Sequence, residues 1–172
     1  DSKIRDDTLQ VNYYGTFDLA QQLIEGGRLK KGGRLIVTSS TYYNMNKFEV
    51  NKEHYGELSD YKSGKLTEAK LEQIISQYKS EVFDADKRSN WPPMVYAGSK
   101  VFVTLRVFLL AKKYKDYKFY AFCPGYCKTD LTGGYGDRSA AEGAETGVFL
   151  ALENIKDEDN GEFFQDKKLK SV

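Results

Sequence analysis

Cysteine, histidine and proline are scarce in this chain, which has two cysteines, one histidine and three prolines among 172 residues. A tetrahedral metal site needs several such ligands close together, and His54 lies far in sequence from Cys123 and Cys127. We predict no metal site. We also predict no structural disulfide, because the end of a strand would hold the two thiols apart.

The chain also lacks an excess of charge of one sign and any long apolar run. Lysine and arginine total 26 against 25 acidic residues, so no general field attracts nucleic acid or an anionic membrane. No apolar stretch approaches the roughly 18 residues that span a bilayer, and none resembles a signal peptide. We therefore expect a cytosolic protein that binds neither nucleic acid nor membrane.

Helix and strand patterns alternate along the chain, and 40% hydrophobic residues suffice for the core of one domain. Segment 42–90 is polar and rich in tyrosine, and it contains its own amphipathic helix, which we interpret as an insertion. The predicted helices lie at 9–24, 71–82, 96–114 and 139–152, and the predicted strands at 35–38, 119–123 and 162–165. This order predicts an α/β parallel sheet with helices on both faces.

Four Tyr-x-x-x-Lys pairs occur in the sequence, and only one has neighbours that suggest chemistry. Tyr96-Ala-Gly-Ser-Lys100 opens a long apolar helix. The strand before it ends in Ser39-Ser40, and the strand after it ends in Pro124-Gly125. Open α/β sheets bind ligands beyond the carboxyl ends of their strands, so this context predicts an enzyme site.

Six stretches together resemble the short-chain dehydrogenase/reductase family, in its carbonyl reductase-like branch. They are Asn12-Tyr-Tyr-Gly-Thr16, Gly33-Arg-Leu-Ile-Val-Thr-Ser-Ser40, Trp91-Pro, Tyr96-Ala-Gly-Ser-Lys100, Cys123-Pro-Gly-Tyr-Cys-Lys-Thr129-Asp and Glu142-Gly-Ala-Glu-Thr146. The resemblance implies that residues 1–172 form the carboxyl-terminal part of one Rossmann-type reductase domain. About three strands would be retained, the amino-terminal βαβ units would be absent, and the insertion at about 42–90 goes with a monomeric enzyme.

The same resemblance assigns catalytic roles to four residues. Tyr96 would protonate the carbonyl oxygen of a small-molecule substrate, and Lys100, one helical turn on, would lower the phenol pKa and hold the nicotinamide ribose. Ser40, rather than Ser39, would bind the substrate carbonyl. Asn12 would tie a water into the proton relay.

The cofactor implied by the resemblance is NADPH, with NADH not excluded. Thr129 would grip the nicotinamide carboxamide, beside Pro124, Gly125 and the backbone around Cys127. The glycine-rich turn that lets backbone amides approach a pyrophosphate is missing, because no Gly-x-Gly-x-x-Gly follows any predicted strand.

Two hypotheses follow from different classes. The chain is part of an NAD(P)H-dependent carbonyl reductase whose amino-terminal half lies elsewhere, or it is a non-enzymatic structural or interaction module. Retention of all four catalytic residue types favours the enzyme, since packing alone does not require them. By itself the chain should be inactive, and the missing half or another chain should cover the open edge of strand 35–38.

Overall fold

The computed structural model describes residues 1–41, 60–84 and 94–170, together with 56, 58, 86 and 91. The remaining residues of the predicted insertion, and Pro92 beside Trp91, lie outside this part. Within it, no helix is both long enough and apolar enough to cross a membrane.

The chain begins with a helical run in three parts, namely α1 (Ser2–Leu9), a π-helical segment (Gln10–Gly15) and α2 (Thr16–Glu25). Asp1 caps α1 with its carboxylate, so the run begins earlier than the predicted start at residue 9. It ends at Glu25 with Gly26 as its C-cap, close to the predicted end at residue 24. One apolar face of the run is buried, and its members are Leu9, Tyr13, Phe17, Ala20 and Ile24.

The described strands are β1 (Arg34–Thr38), β2 (Lys118–Cys123), β3 (Cys127–Lys128), β4 (Arg138–Ser139), β5 (Phe163–Gln165) and β6 (Lys168–Leu169). The main sheet has the order β1, β2, β5, β6, of which the first three run parallel and β6 is antiparallel. β3 and β4 form a separate parallel pair. The three predicted strands are confirmed. The prediction misses the others, because a two-residue strand carries no readable alternation.

Three further helices agree closely with the predicted ones, namely α3 (Glu68–Glu81), α4 (Val95–Lys113) and α5 (Ala140–Leu152). Thr67 caps α3 by accepting a hydrogen bond from a backbone amide. Ser139 opens α5 in a capping box. Most residues of α4 are buried, as its nearly continuous apolar sequence predicts.

Helices cover both faces of the sheet. On one face, Phe119 and Ala121 of β2 belong to the same core as α4 and the first helical run. On the other face, Tyr120 and Phe122 pack with Leu150 of α5. Alternate residues of β2 thus enter two different cores, as expected for a parallel strand between two helical layers. The predicted α/β architecture is confirmed.

Helix α3, in the segment predicted to be an insertion, packs against the helical layer on the first face. The Tyr13 hydroxyl donates to Glu72 Oε1 at 2.7 Å, and the rings of Tyr78 and Phe102 lie 5.4 Å apart, edge to face. Tyr13 and Phe102 are 1% and 2% exposed. Helix α3 therefore covers these two positions.

β1 lies at one end of the described sheet. It pairs with β2 along its whole length, from Arg34 opposite Lys118 to Thr38 opposite Phe122. Among the described residues, no strand lies against its other side. The predicted open edge is present in this part of the chain.

Candidate active site

The predicted catalytic residues gather where β1 and β2 end and α4 begins. The Ser39 amide donates to the Phe122 carbonyl at 2.7 Å, which extends the parallel pairing just beyond β1. Ser40 follows at this end of the sheet, and Tyr96 lies in the first turn of α4. This is the position at which open α/β sheets bind their ligands.

Tyr96 and Lys100 lie one turn apart on α4, so their side chains leave the same face of the helix. Lys100 Nζ is 5.6 Å from the centre of the Tyr96 ring, and it donates to the Thr38 carbonyl at 2.9 Å. Tyr96 is 39% exposed, so a substrate can reach it. Burial lowers the pKa of the Lys100 ammonium, and the electrostatic interaction with Cys123 acts in the opposite direction.

The two serines after β1 have different surroundings. Ser39 Oγ lies 2.7 Å from Thr104 Oγ1 and donates to the Lys100 carbonyl at 3.2 Å, so it fixes the end of β1 to α4. It is 1% exposed, whereas Ser40 is 8% exposed. Ser39 therefore serves the packing of strand on helix, and the role of Ser40 in binding the substrate carbonyl stays a prediction.

Asn12 lies in the π-helical segment and contacts α4 through Ser99. Its Nδ2 donates to Ser99 Oγ at 3.0 Å, and Ser99 Oγ donates to the Tyr96 carbonyl at 2.7 Å. π-Helical turns occur frequently at functional sites, where the extra residue redirects a side chain. Asn12 is thus joined to the turn that carries Tyr96 and Lys100, although its predicted relay role stays a prediction.

Arg138 packs against the Pro124-Gly125 turn at the end of β2. Gly125 has φ +81°, and a Cβ added to it would lie 2.7 Å from Arg138 Nε. The guanidinium pairs with Asp166 at 2.6 Å. Only glycine permits both this backbone conformation and this close packing.

Cys127 and Thr129 lie on the loop beyond that turn. The Cys127 thiol donates to the Pro124 carbonyl at 3.3 Å. Thr129 caps the 3-10 turn Asp130–Thr132 in a reciprocal capping box. A contact between Thr129 and a ligand would therefore have to share the hydroxyl with this cap.

Both cysteines are buried thiols that are not joined in a disulfide. Cys123 Sγ accepts a hydrogen bond from the Gly125 amide at 3.3 Å. Across the described residues, no group of three histidine, cysteine, aspartate or glutamate side chains is placed to hold a metal ion.

Comparisons with known proteins give one consistent family, although no family model matches the chain. The chain is 32% identical over 164 residues to a (+)-neomenthol dehydrogenase of Capsicum annuum, covering 94% of the chain and 51% of that protein. It is 32% identical over 174 residues to carbonyl reductase (NADPH) 1 of Mus musculus, covering 94% of the chain and 60% of that protein. A solved structure of salutaridine reductase from Papaver somniferum is similar with a TM-score of 0.82 and 27% identity, over 96% of the chain and 56% of that structure.

The chain belongs to the short-chain dehydrogenase/reductase family. It spans about half the length of the curated relatives it matches. By name, these relatives include a neomenthol dehydrogenase, an isopiperitenone reductase and a carbonyl reductase.

The donors of this short-chain dehydrogenase/reductase site fit the nicotinamide-ribose end of a dinucleotide. Among the described contacts, Lys100 Nζ gives one hydrogen bond, to Thr38, and an ammonium has three donors. The exposed Tyr96 adds a phenol beside it.

Sequence reasoning missed three residues that shape the site. Ser99 links Asn12 to α4, Thr104 anchors Ser39, and Arg138 supports Gly125. Thr104 carried a readable signal, because it lies one helical turn after Lys100 and so near the same strand end. Arg138 carried none, since only the folded loop brings it to the turn.

Proposed function

We propose that a complete protein carrying this chain reduces a carbonyl compound to an alcohol with NADPH, and that Tyr96 donates the proton. The observation that carries this proposal is the pairing of an exposed Tyr96 with a partly buried Lys100 at the ends of two parallel strands. The names of the curated relatives support reductase chemistry of this class.

In the proposed reaction, the Tyr96 phenol gives its proton to the substrate carbonyl oxygen. NADPH, when bound, supplies the hydride that reaches the carbonyl carbon. The positive charge of Lys100 stabilises the phenolate that remains, because an ammonium near a phenol favours its ionised form. The Ser40 hydroxyl donates to the same carbonyl oxygen and so orients the substrate against Tyr96.

The proposed choice of NADPH over NADH is supported by the name of the mouse relative at 32% identity. Lys100 and Tyr96 would bond the ribose hydroxyls, while Gly125, Cys127 and Thr129 would surround the nicotinamide. Measuring KM for both cofactors with the same substrate tests this choice. A lower KM for NADH would contradict it.

We further propose an apolar or aromatic carbonyl substrate. Large side chains stand exposed on the segments that flank the site, with Met94 at 49%, Tyr126 at 52% and Tyr135 at 72%. Ligand pockets are commonly lined by such side chains with a few placed polar groups. Aromatic and cyclic ketones should therefore be reduced with lower KM than short polar aldehydes.

The two adjacent serines offer a matched test of the site. In the complete protein, Ser40→Ala should lower kcat about 100-fold with an unchanged melting temperature, since it removes a donor to the reacting oxygen. Ser39→Ala should instead lower the melting temperature, because it deletes the bonds to Thr104 and to the Lys100 carbonyl. Steady-state kinetics and thermal melts of both variants test whether Ser40, and not Ser39, contacts the substrate. Loss of kcat in Ser39→Ala alone would overturn the assignment.

A further inference from the structure

Tyr78 of the insertion helix α3 is a fully buried phenol beside the catalytic helix. Its relative exposure is 0%, and its ring packs edge to face on Trp91 at 5.2 Å and on Phe102 at 5.4 Å. Its hydroxyl has no hydrogen-bond partner within the described part of the chain. Burial of an unsatisfied hydroxyl is unfavourable, so packing alone would be served better by phenylalanine.

The hydroxyl of Tyr78 points at Gly98, in the turn between Tyr96 and Lys100. A Cβ built on Gly98 would lie 3.1 Å from Tyr78 Oη, 3.2 Å from Cζ and 3.3 Å from Cε2. All three distances are shorter than an ordinary van der Waals contact. Tyr78 therefore occupies the space that a side chain at position 98 would need.

Backbone conformation does not explain the glycine at position 98. Gly98 is not among the glycines with positive φ, and glycine inside a helix costs about 1 kcal/mol relative to alanine. Two residues along a helix correspond to about 200°, so Gly98 lies on the side of α4 opposite Tyr96 and Lys100. Tyr78 thus supports the back of the turn whose front carries the two catalytic side chains.

We propose that Tyr78 is a positioning residue, which holds the Tyr96-to-Lys100 turn in place through its contact with Gly98. The inference rests on the proposed function. It makes the insertion helix α3 a part of the site's support, since a displacement of Tyr78 would move the turn. The side chains of Tyr96 and Lys100 would then lose the geometry that proton donation requires.

The test uses substitutions at the contact in the complete protein. Gly98→Ala forces a methyl group against Tyr78 and should lower kcat at least tenfold with little change in KM. Tyr78→Leu in the same chain removes the three contacting atoms and should restore most of the lost kcat. A merely structural role would lower the melting temperature of Gly98→Ala without lowering kcat per folded molecule, and that result would overturn the proposal.

Gly147→Ala is the matched control. Gly147 lies in helix α5, and a Cβ added to it would lie 3.0 Å from the ring of Phe122 in β2. It should reduce stability and leave kcat unchanged. An equal loss of kcat in this control, or a failure of Tyr78→Leu to rescue Gly98→Ala, would also overturn the inference.

A second readout decides the inference even if the wild-type protein reduces no carbonyl, in which case the proposed function fails. Titration of the Lys100 amine by NMR reports the surroundings of the turn directly. Gly98→Ala should shift the Lys100 pKa, and the double variant should return it to the wild-type value. An unchanged Lys100 pKa in Gly98→Ala would contradict the positioning role.

Discussion

The strands β1 and β2 have similarly apolar sequences and very different surroundings. β2 is paired on both sides and is buried from Phe119 to Cys123, whereas β1 is paired only with β2 and is half-buried from Arg34 to Val37. A strand that is apolar on both faces is typical of the interior of a parallel sheet. The sequence of β1 therefore suits a more central position than the one it occupies among the described residues.

This difference bears on the site, because each strand delivers part of it. Pro124 and Gly125 follow the end of β2 that is paired on both edges, and the serine pair follows β1. One side of the site thus rests on a strand with neighbours on both edges. The other side rests on β1, whose outer edge is unpaired among the described residues. We expect the position of the serine pair to depend on the segment that covers this edge in the complete protein.

The largest expected effect is on the isolated chain. Residues 1–172 alone should not bind NADPH and should not unfold cooperatively as a monomer, because β1 exposes backbone groups and several helices expose apolar side chains. The complete protein should do both. Calorimetric titration with NADPH and thermal melts of the two proteins make the comparison.

A 172-residue fragment that bound NADPH at micromolar concentration and unfolded in one cooperative transition would contradict this expectation. It would show that β1 needs no further strand for the site to form.

Self-association provides a second way to break the comparison. The face around Tyr13 and Phe102 is covered by α3, so it is not open to a second copy of the protein. The outer edge of β1 has no strand beside it in the described sheet, and we expect the complete protein to cover it. The complete protein should therefore be a monomer, as measured by light scattering. A symmetric dimer that dissociates when Tyr13 or Phe102 is substituted would show that α3 does not block this face.

A matched pair of valines sharpens the comparison quantitatively. Val107 of α4 is 0% exposed and Val37 of β1 is half-buried. In the complete protein, Val107→Ala should lower the free energy of unfolding by about 2 kcal/mol, since it deletes two buried methyl groups. Val37→Ala should have a similar effect if the edge of β1 is covered there. An effect under about 0.5 kcal/mol, measured by urea unfolding, would indicate that β1 stays exposed.

The smallest expected effect concerns Lys100 and pH. Burial lowers the pKa of Lys100 in the folded protein below the ordinary lysine value of 10.5. At a pH between the lowered pKa and 10.5, the unfolded chain therefore binds more protons than the folded one. Stability contributed by this group then rises with pH. Wild type should gain stability relative to Lys100→Met as the pH is raised toward 10.5. A constant difference between the two proteins across this range would contradict the lowered pKa.

Sequence patterns predicted the long elements of the fold, because their apolar spacing extends over several turns or a whole buried strand. The helix α4 and the strand β2 are examples. The π-helical segment around Asn12 was not predictable in this way. One extra residue in a helical run changes the pairing of backbone groups without leaving a mark in composition.

The site was predictable where local sequence carries it and not where the fold assembles it. Tyr96 and Lys100 are joined by helix periodicity, and the serine pair by its place after a strand. The contacts of Tyr78 with Gly98 and of Arg138 with Gly125 join residues far apart in sequence. No sequence pattern predicts these two contacts, because each depends on how separate segments pack.

The most direct measurement of the central claim compares two tyrosines that share one spacing. Tyr96 precedes Lys100 by four residues at the site, and Tyr114 precedes Lys118 by four residues outside it, where its ring lies 6.3 Å from that of Phe119. In the complete protein, Tyr96→Phe should lower kcat for NADPH-dependent carbonyl reduction by at least about 1,000-fold without unfolding the protein. Tyr114→Phe should leave kcat within about twofold of wild type. A Tyr96→Phe enzyme that kept kcat within about tenfold of wild type would contradict Tyr96 as the proton donor.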